Sequence, residues 1–375
     1  MSKLQILLHS EFTILPDANT IGNIASVAST DWGCAVQTAV NIGNQNFVAT
    51  QTQTFLCFVV LIGLPIATPK EYMNSASFAL GNPTNFNGWP NGFSFFLSFL
   101  APLWTICAFD ASVHISEEVT NATTAVPWGI VGAASAAGLL GWAINISLAF
   151  CMGTDLTSLV NSPQPMAQIF LNSFGQTGTL VIWSFVVIGQ YMMGSSMVLA
   201  TSRQTFAFAR DGALPFSSIL YCMNRFTGTP VNTVWFVVVI SALLGLLSLA
   251  GTQATNAVFV VSVTGLYVAY VISIAVRFIF KNDFRPGSFN LGIFSLPIAA
   301  ISVSFMAFMD IVFSFPTTPQ TSTSNMNYTV VVLGGVLVLS VVWYYFPVYG
   351  EVHWFTGPAS NVDKEDATEP ASRNS

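Results

Sequence analysis

The chain has 375 residues, of which 53% are hydrophobic and only 7% charged, with a net charge of −6. Soluble domains carry about 25% charged residues, so this surface could not be solvated as a monomer in water. No basic run points to nucleic acid. The five cysteines (Cys34, Cys57, Cys107, Cys151, Cys222) are scattered, mostly through apolar runs, and form neither a disulfide framework nor a metal site.

Met1 to Asn19 lacks the long apolar core of a secretory signal peptide. The segment Ile21–Ile42 is small and moderately apolar but contains Asp31 and Gln37. It is consistent with either a weakly hydrophobic span or a surface segment. Apolar runs and their breakers then predict eight membrane helices. These are Thr54–Thr68, Phe93–Phe109, Pro127–Met152, Thr179–Ser202, Val231–Leu249, Ala257–Phe280, Leu291–Phe315 and Thr329–Tyr349. Pro127 is expected in the first turn of its helix. A β-barrel would instead show alternating segments of about 10 residues. Asp363-Lys-Glu-Asp-Ala-Thr-Glu369 makes the C-terminal tail polar and predicts disorder there.

If the eight spans alternate, one side receives Arg203, Arg210, Arg225, Arg277, Lys281, Arg285, Lys364 and Arg373, and the other only Lys70. By the positive-inside rule the C-terminus is cytoplasmic. Asn327-Tyr-Thr329 falls in the outer loop and matches a glycosylation sequon. Asp155 and Asp310 are expected near the outer ends of their spans, within reach of water, and receive no role.

The polar residues Asp110, His114, Glu117 and Glu118 follow directly on an apolar run. A charge at the centre of a membrane helix costs about 2.5–3.5 kcal/mol on insertion scales, so such groups are placed for use or are surrounded by water and protein. Asp and Ser in Phe109-Asp-Ala-Ser112 compete for backbone hydrogen bonds. Two readings follow. The helix breaks here into Phe93–Cys107 and Val113–Thr120, and the freed carbonyl and N–H groups line a pocket at mid-membrane. Alternatively, a plain helix ends here with Asp110 at the interface. Glu117 and Glu118 are either a solvated helix end or a gate pairing with Arg203 or Arg210. His114 is a structural hydrogen-bonding group or a proton relay. Gln190 and Ser195 lie mid-span, as small polar residues do at close helix contacts or beside a cavity. No nucleophile elbow, metal cluster, phosphate loop or paired catalytic group suggests an enzyme, and no cofactor is implied.

Three motifs carry a family resemblance. Phe109-Asp-Ala-Ser-Val-His-Ile-Ser-Glu-Glu-Val-Thr-Asn-Ala122, followed by Val126-Pro127, resembles the sixth helix of fungal amino acid permeases of the GABA/choline permease group. Ser202-Arg-Gln-Thr-Phe-Ala-Phe-Ala-Arg-Asp-Gly-Ala-Leu-Pro215 resembles that family's end of helix eight. Asn87-Gly-Trp-Pro-Asn-Gly92 resembles its outer loop before helix six. The resemblance runs from about Pro65 to Pro358. It implies the amino acid–polyamine–organocation fold, an all-α polytopic membrane protein with a five-plus-five inverted repeat and two extra C-terminal helices. It also implies proton-coupled transport of amino acids or related amines.

Phe109, Asp110, Ala111 and Ser112 match the unwound, substrate-binding segment. Glu117 and Glu118 match a cytoplasmic gate, and Gln190 and Ser195 are possible cavity-lining residues. Ile24–Gln37 resembles part of helix three, and nothing matches helices one, two and four. Residues 1–53 are thus read as a tail plus a remnant of the first repeat, 54–350 as a transporter domain of about eight helices, and 351–375 as a disordered cytoplasmic tail. An incomplete first repeat leads to the expectation that this chain transports poorly or not at all. The alternative is a non-transporting subunit of a full-length relative, in a homo- or hetero-oligomer. The plasma membrane is favoured over the vacuole.

Overall fold

The computed structural model describes residues 59–353 apart from 82, 115, 117–120, 163, 215, 280–286, 323–325 and 348–349. Ile21–Ile42 and the C-terminal tail lie outside these residues. All regular structure among the described residues is helical. Five helices are long and apolar enough to cross a membrane, and two further apolar helices have 16 residues each.

The first described span is a π-turn, Val59–Gly63, running into α1 (Leu64–Ala67), which ends at Thr68 as the following Pro69 requires. The Thr68 hydroxyl donates to Leu64 O at 2.6 Å. After the short α2 (Ala76–Gly81), the next span begins with α3 (Asn91–Leu97) and α4 (Leu100–Ile106). Their junction is a consequence of Pro102, which has no N–H to offer Ser98 O. The helical turn α5 (Ala111–His114) follows a four-residue interruption.

α6 (Ala122–Cys151) starts earlier than the apolar pattern suggests. Pro127 is therefore not in the first turn but inside the helix. Its ring nitrogen cannot bond Thr123 O, and the Ser288 hydroxyl takes that carbonyl instead, at 3.3 Å. After α7 (Leu156–Val160), N-capped by Asp155 through Ser158 N at 3.1 Å, comes α8 (Pro165–Arg210). α8 is two limbs joined at Gly175, whose φ of 69° and ψ of −179° are open only to glycine. Gly212 (φ 80°) stops it, as the sequence predicts.

The short α9 (Ser217–Leu220) leads to α10 (Val231–Leu246), α11 (Thr252–Ile279), α12 (Ser295–Phe313) and α13 (Thr329–Tyr344). α11 is the central helix of this half: Val260, Val263 and Tyr267 pack against Met306, Met309, Val312 and Phe313 of α12, with Leu103 and Trp104 of α4 on the same cluster. A second core joins Val60 and Leu64 to Phe170 and Trp183 of α8 and Cys151 of α6.

One sequence expectation is corrected here. Asp310 is half-buried rather than open to water: its Oδ1 is shielded within the bundle and has no hydrogen-bond partner. The Asn327 amide of the sequon is engaged as a helix cap, donating to Phe313 O at 2.7 Å and Phe315 O at 2.9 Å, while Thr329 is buried.

Candidate functional site: a broken helix around Asp110

The α4 helix ends at Ile106, where Cys107 turns extended (φ −61°, ψ 162°). Ala108 then adopts a left-handed conformation (φ 58°), unusual for a residue with a Cβ. Asp110 re-enters a turn by accepting from Val113 N at 2.7 Å, and α5 begins. The chain is thus interrupted at 107–110, between two helices aligned as one apolar span. Ala111 and Ser112 belong to the inner helical turn rather than to the interruption, a shift of two residues from the sequence expectation. The left-handed Ala108 is its physical reason, because the ladder is already broken there.

Interruption at this depth is tolerated only where backbone and side chains find protein or cavity partners. Asp110 finds them. It is buried, at 9% exposure, and its Oδ1 accepts a 2.6 Å hydrogen bond from the Tyr270 hydroxyl of α11. Its Oδ2 lies 3.3 Å from His114 Nε2, close enough for an ion pair. The angles there are not those of a hydrogen bond, and His114 Nε2 has no hydrogen-bond partner. Electrostatic proximity without a shared proton is therefore the description that fits both facts. Phe109 lies over the Tyr270 ring, with centroids 5.1 Å apart. The Cys107 thiol donates to Ser262 O at 3.6 Å, fastening the outer stump to α11. The Ser112 hydroxyl is buried without a partner, against α6 at Gly129.

Beyond α5 lies a cavity of about 270 Å³, lined by Val113, His114, Ser116, Arg203, Phe206 and Met223, among others. Arg203 comes from the inner limb of α8, which packs beside α5. Glu117 and Glu118 lie outside the described residues. Arg210 pairs with its neighbour Asp211 at 3.3 Å. Gln190 is half-buried in α8, and Ser195 is exposed with its hydroxyl on Tyr191 O at 3.0 Å; neither lines this cavity. Among the described residues no group of three or more His, Cys, Asp or Glu side chains is placed to hold a metal ion.

Chemically, the arrangement offers a buried carboxylate, an unused hydroxyl and an aromatic face in an apolar wall, with a cavity of about 270 Å³ beyond. Such a set can receive a small cation or zwitterion. Tyr270 escapes a reading by sequence because it is one of several aromatics in an apolar helix. Its spacing from Tyr267, three residues and hence one helix face, was the available signal.

The family model for amino acid permeases matches residues 19–337. The chain belongs to the amino acid permease family. An uncharacterised amino-acid permease of Schizosaccharomyces pombe is 36% identical over 87% of this permease and 59% of its own length. The GABA-specific permease of Saccharomyces cerevisiae is 35% identical over 84% of this chain and 56% of its own. A putative polyamine transporter of Candida albicans is 31% identical over 79% and 54%. The permease described here thus spans a little over half the length of these relatives. It is a multi-pass helical membrane protein of the fungal permease type.

Proposed function

We propose that this permease carries an amino acid or related amine, of the size and charge of GABA or choline, across the membrane through the break at 107–110. The burial of Asp110 among Tyr270, Phe109 and His114 carries this reading. Asp110 pairs with the ammonium group, and the Phe109 and Tyr270 rings provide the apolar and cation-attracting wall. The peptide groups around Phe109 and Ala111, with the unused Ser112 hydroxyl, take the other pole of the solute. The names of two relatives, a GABA-specific permease and a putative polyamine transporter, agree in requiring a cationic nitrogen.

The cavity beyond α5, with Arg203 in its wall, is the exit, and Glu117 and Glu118 act with Arg203 as its gate. Residues 54–350 form the transporter body. The side holding Arg203, Arg210 and the C-terminus is cytoplasmic, protons drive the transport, and the plasma membrane is its place.

Uptake of labelled GABA and choline into vesicles holding only this chain tests the reading. Uptake above empty vesicles supports it and overturns the expectation, drawn from the incomplete first repeat, that this chain transports poorly or not at all. Asp110→Asn should weaken apparent affinity about 10- to 100-fold, the worth of one charged hydrogen bond. Uptake that appears only when a full-length permease is co-reconstituted would favour the subunit role instead.

A further inference from the structure

The mechanism above leaves one half-buried carboxyl group unused. Asp310 lies one turn before the end of α12, in an otherwise apolar helix. Its flanking residues Met309, Val312 and Phe313 are core. Its Oδ1 is sealed from solvent and has no hydrogen-bond partner, and Ser314 bonds its backbone carbonyl rather than its carboxylate. An ionised carboxylate there is costly unless paired, so the group either binds a cation or takes a proton.

The surroundings decide between these. From α11, Tyr267 packs in one cluster with Met309 and Phe313 of α12, within electrostatic reach of Asp310 and of Cys107. The other packed segment, α3, carries no titratable side chain. A hard metal cation takes about six or more oxygen ligands, and among the described residues no group of three or more His, Cys, Asp or Glu side chains is placed to supply carboxylates to one. A proton needs one oxygen. Three residues along α11, on the same face as Tyr267, Tyr270 holds Asp110. Tyr267 and Tyr270 also lie within electrostatic reach of one another. A single helix face thus connects Asp310 with the carboxylate at the break.

We propose that Asp310 is the seat of the coupling proton, filled from the side of the Trp89 loop and sensed at Asp110 through the Tyr267–Tyr270 face of α11. In the loading step a hydronium ion gives its proton to the Asp310 carboxylate, forming one O–H bond and releasing water; in unloading a water molecule takes the proton back. The coupling role rests on the transport reading, while the protonation itself does not.

The test uses the full chain in proteoliposomes, with GABA as solute. Infrared difference spectra across a pH titration should show a carboxylic acid C=O band that persists in Asp110→Asn and vanishes in Asp310→Asn. A band unchanged in Asp310→Asn overturns the proposal. In parallel, a one-unit pH gradient can drive at most about tenfold accumulation for one proton per solute. Asp310→Asn should abolish that accumulation yet retain gradient-free exchange of labelled for unlabelled GABA. Accumulation retained in Asp310→Asn, or driven by a sodium gradient instead, also overturns the proposal. Should the unmodified chain move no GABA at all, the transport reading fails, and the infrared band still decides whether Asp310 takes a proton. Tyr267→Phe guards against misfolding: it keeps the carboxyl, and a shift of the same band without its loss is expected.

Discussion

At the scale of single residues, Asp110 is held by a partner 160 positions away, the Tyr270 hydroxyl at 2.6 Å. A hydrogen bond to a charged group contributes about 1.5–3 kcal/mol. Tyr270→Phe keeps the ring over Phe109 and removes only that bond. The purified variant should melt at lower temperature and bind GABA more weakly. A melt superimposable on that of the unmodified protein would show that the bond contributes nothing. Asp110 was legible in the sequence because a carboxylate directly after an apolar run violates the composition of everything before it. Tyr270 was not, because nothing in a single sequence joins two positions so far apart. Asp310 was legible as a charge, but its shielding was not. Distance from the helix end suggested water, whereas its place beside the core residues Met309 and Phe313 leaves it half-buried with one carboxylate oxygen shielded.

At the scale of elements, two backbone conformations define the architecture. Gly175 separates the limbs of α8, and no atom lies within 4 Å of where its Cβ would be. Gly175→Ala therefore meets no steric obstacle, and its cost is conformational, about 1–3 kcal/mol. The expected outcome is a lower melting temperature with unchanged expression and membrane insertion. Ala108 carries the other conformation, φ 58°. Glycine relieves it, so Ala108→Gly should leave uptake intact. A β-branched side chain is a genuine outlier in this region, so Ala108→Val should disfavour the break by about 1–2 kcal/mol or more and reduce uptake. Equal uptake by the two variants would argue against a role for the left-handed turn.

Seven of the eight apolar runs fall on helices in the described residues, one of them split at Ser98–Phe99, and the first is helical from Val59, where its description begins, since lipid demands that the backbone satisfy itself locally. Interruptions were less legible. The break at Asp110 was announced by polar residues. The one at Gly175 was not, because glycine is frequent in membrane helices for packing reasons and its φ cannot be read from its name.

At the scale of the whole molecule, the described cysteines give a direct probe of exposure and side. Cys222 is exposed beyond α9, whereas Cys151 is buried and Cys107 half-buried at the break. Of these three, Cys222 should react with a membrane-impermeant maleimide, and only when the reagent has access to the cytoplasmic face. Labelling of Cys222 from outside intact cells would invert the proposed topology.

The two ends of the molecule differ in how firmly they are closed. At one end the Trp89 indole N–H donates to Pro316 O at 3.1 Å, and the rings of Trp89 and Phe93 meet that of Phe315 edge-on, so the loop before α3 is clasped to the end of α12. At the other end the helix stump α5 borders an open cavity. On the proposed transport reading, a solute arriving from the Trp89 side meets a latched door, and freeing the Trp89 indole from the Pro316 carbonyl is one step of its opening.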